Sequence, residues 1–218
     1  MTELAIEQSL SDERLLMHEL THRLNNELAS VISIISLTAA RCRNPEVRNA
    51  LVGVTELLHH SADVHRALQM PAHNTNIDAG TYLGRLCQCL SLSKLNPMKI
   101  TLVIAVRPLR MPADRCWRLG MIVYELITNA ARHAFGGAGG EIRVDLLPSD
   151  TFVECRVLDN GSARTSIRPG RGLEIIQELV QGLDGTFYQE FGEQGSTSVI
   201  AFRVASEPKR ARACLLRN

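Results

Sequence analysis

The sequence predicts an α+β chain in two parts: a long helical hairpin, then a domain with helices layered on one face of a mixed sheet. Three observations predict it. Apolar residues recur at helical spacing with no proline or glycine before Pro45. A second helical stretch follows directly after that proline. Beyond Pro71 the grammar changes to β-branched runs and glycine-rich turns alternating with helices.

The first helix is expected over about 11–42. Ser11, Asp12 and Glu13 supply start chemistry, and Leu16, Leu20, Leu24, Leu28, Val31 and Ile35 mark the apolar stripe. Arg43, Asn44 and Pro45 punctuate it. Val47, Leu51, Val54, Leu58, Val64 and Leu68 then carry a second helix that Pro71 ends. One hairpin buries its stripe poorly alone, so a homodimer forming a four-helix bundle is expected. His73 to Asn76 reads as a linker. A helix is expected over 78–92, a strand over 99–106 and a long helix over 114–135, ended by Gly136, Gly137, Gly139 and Gly140. Strands over 141–147 and 152–158 form a hairpin. A helix over 171–183 closes at Asp184 and Gly185, and strands over 186–190 and 198–204 form the last hairpin. The expected domains are 1–72, 73–207 and a basic tail, 208–218.

Composition narrows the function. A hydrophobic fraction of 45% allows a full core, and a net charge of +1 over 218 residues makes no electrostatic case for nucleic acid. Lys209, Arg210, Arg212 and Arg217 make a short basic end of the kind that is usually solvated. The first residues lack the basic start of a signal peptide, and the apolar run 28–40 is too short and hydroxyl-rich to span a bilayer. Six cysteines without a CxxC pair read as reduced, packed thiols rather than a zinc site. A cytoplasmic location without membrane insertion is therefore expected.

Three motifs in the second half carry chemistry. Glu125 and Asn129 are four apart on the predicted helix and share a face, with Arg132 and His133 one turn on. An acid, an amide and a cation together suit a Mg-triphosphate site, although the same pattern also describes a solvated helix face. Asp159, Asn160 and Gly161 end a strand. A carboxylate there can accept from an adenine amino group and Gly161 can let backbone approach a ring, but Asp-Asn-Gly is also ordinary turn chemistry. Gly170 and Gly172 open a helix, a favourable position for phosphate or simply a helix-opening turn.

The order and spacing of these motifs resemble the GHKL (Bergerat) ATPases, and within them the histidine kinases, over about residues 75–205. ELITNAARH matches the N box, DNG the first glycine box and GRGLEII the second; Gly195, Ser196 and Thr197 match a last small-residue box. The resemblance implies ATP and Mg²⁺ as cofactors. Asn129 then binds the metal, Glu125 acts as base or water anchor, and Arg132 and His133 face phosphate. Asp159 reads adenine; Gly161, Gly170 and Gly172 flank the lid; Thr197 completes the cofactor site. Two departures stand out. Ala163 replaces the second glycine of the first box, and only about eight residues separate Gly161 from Gly170.

In the first half, His22, Arg23, Leu24, Asn25 and Asn26 resemble the HRXXN-type histidine kinases, kin of the HWE group, although Asn25 stands where many relatives carry Lys and no WxE occurs near Val153. The resemblance makes His22 the phospho-acceptor, with His18 an alternative. Asn26, one turn later, is expected to orient the ring or phosphate, and Glu19, one turn earlier, to accept the ring N–H. His18 to His22 also spells HExxH, the zinc-protease helix, but without the sheet and third ligand that chemistry needs. The implied activity is autophosphorylation of His22 by ATP and transfer to the aspartate of a response-regulator receiver domain, with a separate sensor protein as a further partner. No sensor domain is expected within this chain, which is then either a soluble signalling protein controlled by partners or a fragment of a longer kinase. The alternatives are a histidine phosphotransfer protein that keeps the shape without binding ATP, and an anti-sigma-type serine kinase sharing the nucleotide domain.

Overall fold

A computed structural model describes residues 2–69, 75–162 and 171–204. The expected Pro71 stop, the linker start, Ala163, Gly170 and the tail 208–218 lie outside the described residues.

Helix α1 spans Thr2–Arg41 and α2 spans Pro45–Ala67. The α1 helix runs through Ser11, Asp12 and Glu13 instead of starting there, because no proline or glycine breaks the chain before them. Asn44 caps α2, its side-chain oxygen accepting from the Glu46 and Val47 N–H groups at 2.9 and 3.3 Å, with Pro45 in the first turn where no N–H is needed. The hairpin buries Ile32, Ala39, Ala62 and Val64 but leaves Val31, Ile34, Leu37, Val52 and Leu57 exposed, Ile34 by 61%. Among the described residues that is a long exposed apolar face.

The second part contains β1 (Asn76–Asp78), α3 (Ala79–Leu90), β2 (Ile100–Val106), β3 (Arg110–Pro112), α4 (Ala113–His133), β4 (Gly140–Pro148), β5 (Phe152–Asp159), α5 (Arg171–Gln181), β6 (Gly185–Gly192) and β7 (Gly195–Arg203). Between α3 and β2 the chain makes a π-helical turn at Ser91–Leu95 and a 3-10 turn at Asn96–Met98. The five-stranded sheet has the order β2-β4-β5-β7-β6, with β2 and β4 parallel and the rest antiparallel. Strand β1 starts at Asn76, the last residue of the expected linker, and forms a small antiparallel pair with β3, with Ile77 opposite Met111.

Alternation builds the two layers. On β4, Ile142, Val144 and Leu146 are buried while Glu141 and Arg143 are exposed; on β5, Val153, Cys155 and Val157 are buried. Leu83, Leu86 and Leu90 of α3, Leu119, Ile122 and Ile127 of α4, and Ile176 of α5 cover that inner face. Each such side chain contributes about 1.5–3 kcal/mol by leaving water. Cys42, Cys87, Cys89, Cys116 and Cys155 are free thiols, and burial pushes Cys87 and Cys116 up to about 12. They therefore stay protonated, as packed thiols should.

Helix α4 is fixed at its start. Arg115 Nη2 donates to the Leu183 and Arg203 carbonyls, both at 3.0 Å. Trp117 Nε1 donates to Leu68 O at 2.8 Å and Tyr82 OH to Ala67 O at 3.0 Å, joining the end of α2 to α4 and α3. Among the described residues, no helix is long and apolar enough to cross a membrane.

Candidate active site

The C-terminal half of α4 and the open ends of β5, β6 and β7 enclose a cleft. Asn129, Ala130 and His133 line it from the helix, and Val157, Asp159, Gln189, Phe191, Ser196 and Ser198 from the strands. Leu126, Asn129, Ala130 and His133 follow the i, i+3, i+4, i+7 pattern, so one helix face supplies the wall on this side. Strand alternation explains the rest. Asp159 follows Val157 by two, and Ser196 and Ser198 continue the inward row of Ile200 and Phe202.

Asp159 is held from two sides. Its Oδ1 accepts from the Gly161 N–H at 3.0 Å, and its Oδ2 accepts from the Ser196 hydroxyl. An ionised carboxylate has about four acceptor positions, so two remain for a ligand. Gln189 Nε2 donates to Ser198 Oγ at 2.9 Å, and Ser198 is only 3% exposed. Asn160 ties the loop to β4, its Oδ1 accepting from the Glu141 N–H at 2.8 Å.

Two glycines fix this corner by lacking a side chain. A Cβ on Gly161 would lie 2.3 Å from the Ala134 carbonyl oxygen, so Gly161 admits the end of α4, whereas a ligand ring was expected beside it. Gly195 has φ +125°, and a Cβ there would lie 1.7 Å from the Asp159 carbonyl oxygen.

The structure brings together Glu125, Asn129 and Gly172. A Cβ on Gly172 would sit 3.4 Å from Glu125 Oε2 and 3.5 Å from Asn129 Nδ2. The first turn of α5, the positive end of the helix dipole, therefore opens beside the acid and the amide. An amide oxygen and a carboxylate are hard donors suited to Mg²⁺, which supplies charge neutralisation to a triphosphate when bound.

Two expected residues are placed elsewhere. Arg132 lines a separate groove with Lys94 and Thr128 on another face of α4, because successive helix positions are about 100° apart. Thr197 alternates with Ser196 and Ser198 and is absent from the cleft lining; Ser196, read only as part of the small-residue box, lines it, as do Gln189 and Ser198, which no motif named.

On α1, His22 is exposed and its Nδ1 lies 3.2 Å from Asn26 Nδ2, the expected one-turn pairing. The Glu19 carboxylate accepts from Arg23 Nε at 2.9 Å, so the acid expected to polarise the imidazole is paired with a guanidinium. The side chain of His18 lies outside the described residues.

Comparison with known proteins gives the family. A family model described as "Histidine kinase" matches residues 19–94, and one described as "Histidine kinase-like ATPase domain" matches 98–200. The chain belongs to the histidine kinases. The sensor histidine kinase PdtaS of Mycolicibacterium smegmatis is 29% identical over 196 residues, covering 84% of this kinase and 38% of PdtaS. The chain thus spans about 38% of the length of that relative. The histidine kinase domain of the Erythrobacter litoralis EL346 blue-light-activated histidine kinase superposes with a TM-score of 0.59 at 21% identity, covering 89% of this kinase and 93% of that chain. Full-length ShkA in complex with AMPPNP gives 0.52 at 20%, covering 90% and 47%. At these identities the two structures speak to the fold alone.

Proposed function

We propose that the chain autophosphorylates His22 from ATP and passes the phosphoryl group to a receiver-domain aspartate. One observation carries this reading. Asp159 and Asn129 line one cleft along α4, and Glu125 and Gly172 stand beside that same Asn129. That juxtaposition suits an adenine at Asp159 and a triphosphate beside Asn129. ATP would sit with its base at Asp159 and Ser198, and Asn129 would hold Mg²⁺. The hairpin 1–72 then acts as dimerisation and phosphotransfer unit, and 73–207 as nucleotide domain. The exposed face of Val31, Ile34 and Leu37 supports a homodimer. The absence of a membrane-spanning helix among the described residues is compatible with a cytoplasmic setting.

The chemistry turns on one ring. The His22 Nε2 lone pair attacks the γ-phosphorus, the bond to the β-phosphate oxygen breaks, and ADP leaves. Nε2 carries that lone pair only when Nδ1 holds the ring proton. Asn26 decides between the two forms. Its amide nitrogen toward Nδ1 favours the proton on Nε2, and a flip bringing its oxygen there stabilises the reactive tautomer.

A second reading has its own observation. The open interior of the cleft is only about 30 Å³, room for one or two waters. A phosphotransfer protein without ATP binding would need no more. Calorimetric titration with ATP and Mg²⁺ decides between them. The kinase reading expects saturable binding that Asp159→Ala weakens at least tenfold; no heat of binding in the wild type leaves the phosphotransfer reading. Label moving from the phosphorylated chain to a purified receiver domain tests the last step.

A further inference from the structure

Helix α4 has a second lined face, opposite the nucleotide cleft. There the π-helical turn at Ser91–Leu95 stands off α4 and leaves a groove of about 260 Å³. Leu90, Leu95, Met98 and Ile127 make its walls apolar, while Lys94 and Arg132 are its charged residues; among the described residues, no acidic side chain lines it. π-helical turns are rare and concentrate at functional sites. The volume lies just below the roughly 300–1,000 Å³ typical of drug-sized ligands, so the occupant is small.

Lys94 is held in position. Its Nζ donates to Tyr124 OH at 2.8 Å and lies 4.8 Å from the Tyr124 ring centre. An ammonium has three N–H donors, so two remain for a partner. Two cations over an apolar floor, with no acidic side chain among the described lining residues, complement one chemistry.

We propose that this groove binds a small amphipathic anion, an aliphatic or aromatic carboxylate, with the chain on Leu95, Met98 and Ile127 and the carboxylate between Lys94 and Arg132. The groove shares α4 with the nucleotide cleft but none of its lining residues, so the site is separate from the one proposed for ATP.

Octanoate is the probe, with octan-1-ol as its uncharged match, titrated by calorimetry into the whole chain. Octanoate should bind at least tenfold more tightly than octan-1-ol. Lys94→Glu and Met98→Glu should each weaken it at least tenfold while the circular dichroism spectrum is kept; Lys94→Gln replaces Lys94→Glu if that variant does not fold. Equal binding of the alcohol would overturn the proposal, as would octanoate binding that none of these variants changes. A shift in oligomer size caused by Met98→Glu would mean that a second copy covers the groove, and would overturn it too.

Discussion

Ser196 and Asp159 stand opposite each other on β7 and β5, and the serine hydroxyl donates to Asp159 Oδ2. The bond leaves the rest of the carboxylate facing the cleft. Ser196→Ala should therefore weaken ATP by about fivefold, the worth of roughly 1 kcal/mol for one hydrogen bond. Thr197→Ala, one residue on and outside the cleft lining, should leave ATP affinity within about twofold. Equilibrium titration of both variants checks the pair.

Gly195 makes a sharper test of the same corner. A Cβ there collides with the Asp159 carbonyl oxygen, and its φ of +125° is one that side chains rarely adopt. Gly195→Ala should cost at least about 2 kcal/mol of stability and displace Asp159. Gly84 is the control. Its added Cβ meets nothing within 4 Å and it lies inside α3, so Gly84→Ala should stabilise by about 0.5–1 kcal/mol. Urea denaturation reads both.

In the proposed mechanism the Asn26 amide turns its oxygen to His22 Nδ1 and holds the reactive tautomer, so Asn26→Ala should slow autophosphorylation by roughly tenfold, about 1.4 kcal/mol, with ATP affinity unchanged. A separate measurement of initial rate and of nucleotide binding distinguishes this from a folding defect.

Asp78 gives a pH dependence with a definite sign. The Thr81 N–H, followed by the Thr81 side chain, the Leu109 N–H and the Arg110 charge, holds its carboxyl below the usual 3.8. A lowered folded value means the stabilisation is complete above about 3.8 and is lost as pH falls through the folded pKa. Asp78→Ala should cost about 1 kcal/mol near neutrality, the value of an N-cap. The gap between wild type and variant should close as pH drops below 3.8, as followed by thermal melting.

Much of this was legible in the residues because it is periodic. The hairpin, the sheet strands and the face shared by Glu125 and Asn129 follow from spacings of 3.6 and 2. Strands β1 and β3 are three residues each, too short to show a period, and exist because they pair with each other. Ser198 carried a signal that motif reading passed over, a polar residue in the inward row that continues through Ile200 and Phe202. The role of Gly161 could not be read locally, because the backbone it meets is Ala134, twenty-seven positions away in sequence. The π-helical turn has no composition that announces it. Arg132 read as a phosphate ligand by motif, yet its angular position on α4 turns it to the other groove.

The most direct test of the central claim is autophosphorylation with γ-labelled ATP and Mg²⁺ in wild type, His22→Ala and Asn129→Ala. The account predicts acid-labile label on the wild type and none on either variant. Label that persists on His22→Ala, or a wild type that takes up no label while remaining folded, would contradict it.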